Sequence, residues 1–458
     1  MDKYIVILAA GKGTRMKSDL PKVLHKVAGK SMLEHVVAAT EAIDAQRRVV
    51  VVGHGREAVV DSLPDSVSMW VEQTEQKGTG HAVLETQGIL GALNGATMVT
   101  YGDMPLITSE TLEALFAYHA AENAAATILT SIAADPFGYG RIIRENGAVK
   151  KIVEEKDATA DERAIHEVNT GIGIFDNKLL FEALENLTPS NAQGEYYLTD
   201  VIGAFVAADR KVSAMILENF DESLGVNDRV QLATAEKTMR QRINEKLMLS
   251  GVTLLDPATT YIDAAVKIGA ETVIEGGVTL RGRTEIGKNC LITQGSRIEN
   301  SRLENRVIVS NSTVENSVME SGSNCGPYAH LRPGTILHEK VHVGNFVEVK
   351  NATLGDGTKA GHLTYIGDAT VGKKVNFGAG TVIVNYDGKN KYRSEIDDFA
   401  FVGSGTRLIS PVTIGKNALT AAGSVITEDV PEDSVAFGRA RQANKLGLAK
   451  KMPYYKGE

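Results

Sequence analysis

The most constraining feature of this chain is a six-residue rhythm of apolar residues in its second half. Ile268, Ile274, Leu280, Ile286, Ile292 and Ile298 stand six apart, and the spacing returns at Val371, Phe377 and Ile383 and again at Val402, Leu408, Ile414, Thr420 and Ile426, with Thr420 a weak member. Neither a helix nor a hairpin strand has that period. A parallel β-helix does: each repeat supplies one short strand and one turn, and the apolar residue points into a prism. Glycine commonly follows the apolar position, as at Gly269, Gly287, Gly355, Gly367, Gly372, Gly378, Gly403 and Gly415, so small residues make the corners. The register slips by one between Ile366 and Val371 and breaks over residues 385–396. That break is too long for a plain turn and predicts a projecting loop.

The first half reads differently. Short apolar runs at 4–8, 48–52, 67–71 and 97–101 predict strands, and amphipathic stretches at 31–43, 79–90 and 109–121 predict helices. Later strands are expected at 127–132, 141–144, 149–154, 171–175 and 212–217, and a helix at 197–208. Alternating strands and helices imply a mainly parallel sheet covered on both faces. Residues 228–249 read as one helix: Asp228 suits the N-cap, Met239, Ile243 and Leu247 recur at four-residue spacing, and Gly251 ends it. It reads equally as a linker or as the last helix of the first domain. The expected domains are 1–229, a linker helix 230–250, and a β-helix 251–458, which suits 458 residues.

Composition excludes some functions. Lys+Arg 49 against Asp+Glu 57 gives a net charge of −8, which argues against broad nucleic-acid binding but not against a local anion site. The two cysteines, Cys290 and Cys325, allow neither a disulfide framework nor a Cys-rich zinc site. A reducing cytoplasm is the expected compartment. The apolar run at 5–10 is too short for a membrane span and leads into a Gly-rich turn, so it reads as a buried strand rather than a signal peptide. No later segment reaches the length of a span.

Two constellations carry chemistry. Leu8-Ala9-Ala10-Gly11-Lys12-Gly13-Thr14-Arg15 leads to Pro21-Lys22. Gly11 and Gly13 let backbone amides approach phosphates, while Arg15 and Lys22 supply charge for a polyphosphate. Neither the Walker A spacing nor G-x-G-x-x-G is present. Asp103, after the strand at 97–101, can hold Mg²⁺ on a triphosphate, or equally cap a helix. Asn227 offers a second oxygen, or a turn residue. In the repeats, His362 stands near Tyr365 in sequence, and the segment Asn385-Tyr386-Asp387-Gly388 follows, with Lys391. An amine attacking a thioester must lose a proton, and His titrates near neutrality, which makes His362 the natural general base. Glu348 is the carboxylate expected to orient its ring.

Gly-x-Gly-Thr-Arg followed by Pro-Lys resembles the signature of sugar-1-phosphate nucleotidyltransferases. Joined to hexapeptide repeats, the whole chain resembles the bacterial bifunctional enzymes of UDP-N-acetylglucosamine synthesis. These combine an N-acetylglucosamine-1-phosphate uridylyltransferase with a glucosamine-1-phosphate N-acetyltransferase and feed cell-wall biogenesis. The resemblance implies an α/β Rossmann-like nucleotidyltransferase domain plus a left-handed parallel β-helix. It assigns Mg²⁺ to Asp103 and Asn227. It assigns UTP and UDP-N-acetylglucosamine to Leu8, Ala9, Ala10, Gly11, Lys22, Gln73, Gly78, Thr79, Tyr101, Gly102, Asp103, Gly140, Glu154, Asn169 and Asn227. Within that set Gln73 and residues 78–82 resemble the uracil and ribose contacts, and Gly140, Glu154 and Asn169 the sugar contacts. Residues 193–200 are read as positioning, with Tyr196 and Tyr197 expected in the core.

The implied reaction is attack by a sugar-1-phosphate oxygen on the α-phosphorus of UTP, with pyrophosphate leaving while Arg15 and Lys22 neutralise charge. The resemblance makes His362 the base of acetyl transfer. It gives glucosamine 1-phosphate to Arg332, Lys350, Tyr365, Asn376 and Lys391, and acetyl-CoA to Ala379, Asn385, Tyr386, Ser404, Ala422 and Arg439. A homotrimer, with acetyl sites that borrow residues across chains, is also implied. Cys325 and His330 depart modestly from the expected text near Arg332, and Cys325 is read as a small buried hydrophobe. Two alternatives are a monofunctional nucleotidyltransferase whose β-helix only assembles an oligomer, and a non-catalytic scaffold. Arg15, Lys22 and Asp103 together weigh against the scaffold; His362 and the 385–391 loop weigh against the first.

Overall fold

The computed structural model describes residues 1–457 apart from Ser68, Ser190 and Ala192. The chain divides into two compact units, Met1–Arg240 and Gln241–Glu458.

The first unit is built on a sheet in which β1 (Lys3–Ala9) is central. Its residues from Tyr4 to Ala9 are all buried, because both faces of the sheet are covered and nothing along the strand meets water. β1 pairs in parallel with β2 (Arg47–Val52) and β4 (Ala96–Tyr101), and β2 with β3 (Met69–Glu72). The expected strand at 67–71 thus begins later, and its Ser68 lies outside the described residues. Helix α1 (Met32–Glu41) starts at a capping box in which Ser31 Oγ accepts from the Glu34 amide and Glu34 reaches back to the Ser31 amide. The expected helix at 79–90 is two pieces, Thr79–Leu84 and Gln87–Leu90.

Beyond β4 the sheet changes direction. The strand Glu167–Asp176 runs antiparallel to β4 and to Ala126–Ile132. It is also twice as long as the expected strand at 171–175. The helix at 197–208 begins only at Asp200. An unanticipated helix, Asn177–Glu185, follows the antiparallel strand directly, its first turn capped by Asp176. The last helix, Arg229–Leu249, is N-capped as the sequence indicates, with Asp228 Oδ1 accepting from the Val230 and Gln231 amides at 2.9 Å. The division between the units falls inside it. Leu232, Ala235 and Met239 pack in the first unit, while Ile243 and Leu247 pack on the core of the second.

The second unit is a left-handed parallel β-helix with sheets of 11, 10 and 9 short strands. Successive members of the six-residue rhythm fall on successive sheets. Ile268 therefore stacks on Ile286, Ile274 on Ile292 and Leu280 on Ile298 in parallel register. These residues fill one continuous core. Corners demand glycine where rungs touch: a Cβ on Gly378 would overlap the backbone of Ser404, and one on Gly269 would lie 2.8 Å from Gly287. Cys325 stacks between Val309 and Val343, and burial pushes its thiol up to about 12, so it is the inert core residue expected. The break at 385–396 is a loop between Val382–Val384 and Ser394–Ile396, closed by an antiparallel bridge between Tyr386 and Lys391. Among the described residues, no helix is long and apolar enough to cross a membrane.

Candidate active sites

In the first unit a cleft of about 910 Å³ is lined by Arg15, Lys22, Thr79, Tyr101, Asp103, Gly140, Glu154, Asn169 and Asn227, among others. A smaller pocket shares Lys22, Thr79, Tyr101 and Asp103 with it and adds Leu8, Ala9, Ala10, Gly11, Gln73 and Gly78. Both open where β1 and β4 end, the ligand-binding edge of a parallel sheet. Of the expected nucleotide residues only Gly102 is absent from these walls. It is buried, donates its amide to Leu8 O at 2.9 Å, and packs against Val23 and Leu33. Gly13 has φ of +59° and faces Lys22, whose Cβ would lie 2.6 Å from a Cβ added there. A side chain at Gly13 would be strained and would displace Lys22.

Lys22 organises the cleft. Its ammonium pairs with the Asp103 carboxylate and donates to Asn227 Oδ1 at 3.0 Å. The Val226 amide donates to Asp103 O at 2.9 Å and so ties the two segments together. The Asn227 amide in turn donates to Gln231 Oε1 at 2.8 Å, a contact one helical turn away that the motifs did not indicate. A carboxylate and an amide oxygen thus already converge on one cation. That hard-oxygen donor set fits a divalent metal that keeps its other positions for phosphate and water.

Carboxylates crowd the sugar end. Burial, with Asp200 and Asp157 nearby, raises the Glu154 carboxyl above its usual range, although the Thr199 hydroxyl donates to it at 3.2 Å. Burial and Asp157 raise Asp200 likewise. Gln73 is buried, and its Nε2 donates to Gly78 O at 3.0 Å, which fixes the amide at the pocket wall. Tyr197, expected in the core, lines the cleft instead, on the irregular stretch that precedes the helix at Asp200. Tyr196 is half-buried and its carbonyl accepts from the Gly80 amide at 2.8 Å.

In the second unit, His362 ends the strand Lys359–His362 and is exposed. Glu348 does not orient it. The Glu348 carboxylate takes the Arg332 guanidinium at 2.7 Å, and His362 Nδ1 lies 2.7 Å from Asn345 Oδ1. The ladder decides this: Asn345 is in register with His362, whereas Glu348 is in register with Tyr365 on the next sheet.

Asp368 joins the neighbouring residues. It is 7% exposed, accepts from Asn351 Nδ2 at 2.6 Å and from Asn385 Nδ2, and lies 3.6 Å from Lys350 Nζ. Asn385 Nδ2 also reaches Tyr365 Oη at 3.5 Å. The Lys350 ammonium beside Lys391, with Arg332 close by, holds Lys391 below its usual range. Three cations thus converge, an arrangement that a phosphate relieves. Asn376 lies in register with Lys359, on the strand beside that of His362. Ala379, Ser404 and Ala422 stack in one corner column, for the Gly405 amide donates to Ala379 O and the Gly423 amide to Ser404 O, both at 2.8 Å. Arg439 passes the same corner at Gly423, and Tyr386 is exposed on the loop. His330 lies 3.2 Å from Glu315. Asn345 and Asn351 carry no mark in the sequence, and Asp368, at the end of the unusual segment that begins at Lys359, carries no assigned role there; rung-to-rung register would have found the first.

Comparison with known proteins accords with both halves. A MobA-like NTP transferase domain family matches residues 5–189, and the GMPPB C-terminal domain family matches residues 257–354. The chain is 64% identical over 459 residues to the bifunctional protein GlmU of Lactococcus lactis subsp. lactis, covering 100% of both. It is 56% identical over 456 residues to the bifunctional protein GlmU of Streptococcus agalactiae, covering 99% of both. Such identity over whole chains, with a nucleotidyltransferase cleft on one unit and a His-bearing β-helix on the other, means that this chain belongs to the bifunctional GlmU family, whose members join acetyltransferase and uridylyltransferase activities in UDP-N-acetylglucosamine synthesis.

Proposed function

We propose that the two sites of this chain act in sequence, first acetylating glucosamine 1-phosphate from acetyl-CoA, then transferring uridylyl from UTP to the N-acetylglucosamine 1-phosphate formed. The observation that supports this most is that each unit holds its own converged set: Lys22, Asp103 and Asn227 in one, Arg332, Lys350, Lys391 and His362 in the other. At the second site the three cations hold the sugar phosphate, and Tyr365 and Asn376 orient its ring. The amine nitrogen bonds to the acetyl carbon as His362 Nε2 takes its proton. The carbon–sulfur bond then breaks, and the thiolate of CoA leaves and is reprotonated from His362. Ala379, Asn385, Tyr386, Ser404, Ala422 and Arg439 form the wall on which acetyl-CoA lies.

At the first site no side-chain nucleophile is required, because the attacking phosphate is already ionised. Gly11 and Gly13 bring amides to the triphosphate, Arg15 and Lys22 neutralise charge as pyrophosphate leaves, and Gly140, Glu154 and Asn169 orient the sugar. Gln73, Gly78 and Thr79 hold the nucleoside. Asp103 and Asn227 would hold a divalent metal, for which we take Mg²⁺; bound there, it withdraws charge from the phosphates.

We also take the working assembly to be a homotrimer in the cytoplasm. Support for assembly comes from an exposed apolar corner beside His362, where Tyr328 and Phe346 stack with ring centroids 5.6 Å apart and Leu363 follows. The test of the two-site reading is a pair of variants assayed for both reactions. Asp103→Ala should abolish metal-dependent pyrophosphate release and spare thiol release from acetyl-CoA. His362→Ala should lower the acetyl-transfer kcat about 10²–10⁴-fold and spare uridylyl transfer. Equal loss of both activities in a folded variant would overturn the assignment.

A further inference from the structure

We infer that Asn345 is a positioning residue for acetyl transfer: it fixes the His362 tautomer so that Nε2 carries the lone pair that takes the proton. The inference rests on the reading of His362 as the base. Its starting point is the 2.7 Å contact between His362 Nδ1 and Asn345 Oδ1. An amide oxygen can only accept, so the ring proton sits on Nδ1 and Nε2 is left basic.

The backbone fixes that contact. Asn345 and His362 are register partners on the adjacent strands His342–Asn345 and Lys359–His362. The strands approach so closely one residue earlier that a Cβ on Gly344 would overlap the carbonyl of Gly361. Thr364 Oγ1 donates to His362 O at 2.7 Å and holds the far side of the residue. The backbone of His362 is therefore held from two sides, and Asn345 contacts its exposed ring at Nδ1.

An amide is a different device from a carboxylate in this position. A carboxylate would stabilise the imidazolium by charge, whereas a neutral amide selects the tautomer without that stabilisation. His362 then surrenders the proton readily to the departing thiolate. The carboxylate nearest Asn345 in sequence, Glu348, is held by Arg332. Two titratable groups stand on the same two strands: His342, on that of Asn345, and Lys359, on that of His362. Burial and the charges of Lys359 and His362 hold the His342 imidazole below its usual range. Neither neighbour supplies the negative charge that a carboxylate would.

Three variants of the full-length protein test this, each checked by light scattering for an unchanged assembly. Asn345→Leu should lower the acetyl-transfer kcat by about 10–100-fold, the range for loss of the outer partner of a metal-bound histidine, applied here to a base oriented in the same way, and leave uridylyl transfer unchanged. Asn345→Asp retains an acceptor for Nδ1 and should recover most of the kcat, but it adds the missing charge. The acidic limb of its kcat/KM–pH profile should move to higher pH, which loss of packing alone would not produce. A wild-type kcat in the Leu variant, or an unmoved acidic limb in the Asp variant, would overturn the inference. His362→Gln separates the two levels. If it keeps full kcat, the base assignment falls and this inference with it. If it loses activity while Asn345→Leu does not, only the role of Asn345 falls.

Discussion

Replacing Asp368 by Asn should loosen the acetyl site from beneath, and the cost can be worked from its contacts. The residue is 7% exposed and sits at φ +49°, a left-handed conformation that Asn tolerates, so the substitution adds no backbone strain. Three donors surround its carboxylate: Asn351 Nδ2, Asn385 Nδ2 and Lys350 Nζ. An amide offers one oxygen and turns an N–H toward the remaining donors. Stranding one buried donor costs about 1–3 kcal/mol, and hydrogen bonds to a charged group lose about half their worth when the charge goes. Together this is about 2–4 kcal/mol. For a unit of this size about 2–4 °C is lost per kcal/mol, so the β-helix transition should fall by about 4–16 °C.

Asn385 carries the root of the loop, so acetyl transfer should fall with stability while uridylyl transfer holds. The pH dependence gives the sharper test. Burial pushes the Asp368 carboxyl up, but hydrogen bonds from Asn351 and Asn385 and the charges of Lys350 and Lys391 outweigh it and hold the group below its usual range. A depressed carboxyl contributes stability above its unfolded pKa, about 3.9, and that contribution disappears as pH falls through the folded value. The gap between wild type and variant, followed by calorimetry, should be full at about pH 6 and shrink below about pH 4. A gap that widens in acid, or a variant with unchanged melting and full acetyl transfer, would refute the reasoning.

Three further outcomes are expected. Glu154→Gln should weaken sugar-phosphate binding at the uridylyl site, read as a raised KM. Because burial raises the Glu154 carboxyl, its ionisation costs stability as pH climbs through the folded value, so the Gln variant should melt above wild type at neutral pH and match it in acid. Gly13→Ala should lower uridylyl transfer and spare acetyl transfer, since a side chain at φ +59° displaces Lys22; intact pyrophosphate release would contradict this. Light scattering should give a particle of three 49.0 kDa chains, and Phe346→Glu should split it and reduce acetyl transfer; a stable, fully active monomer would end the trimer reading.

What the sequence disclosed, and what it hid, follows from what a period encodes. Ile268, Ile274 and Leu280 announce the β-helix because each rung repeats the same inward position. The strands of the first unit are visible because burial on both faces leaves continuous apolar runs such as Tyr4–Ala9. Strand direction leaves no such trace, so the antiparallel course of Glu167–Asp176 was invisible. The helix at Asn177 was masked because Asp176 both ends a strand and caps the helix. Gly11, Gly78 and Gly140 line the two pockets, whereas Gly102, inside the motif, packs against Val23 and Leu33. In the acetyl site the carboxylate at Glu348 suggests itself as the partner, whereas Asn345 makes the contact; both precede His362 by about one rung, and register separates them.

Register also explains how a repeating core hosts an irregular site. Neighbours in the acetyl site are one rung apart: Asn345 with His362, Glu348 with Tyr365, Lys350 with Gly367. One residue inserted between such partners would turn the following side chains from the core to the surface. The loop after Asn385 avoids that penalty. The rung that pairs Phe377 with Val402 is longer than the next, which pairs Val402 with Thr420, yet both keep the same inward positions. Its extra residues leave at a corner, close on themselves through the Tyr386–Lys391 bridge, and return to register at Ser394 beside Ala369. Tyr386 and Lys391 are thereby added to the site without moving a core residue, while Asp368, one rung below, anchors the loop at Asn385. A β-helix gains chemistry at its corners because only there can chain length change without changing phase.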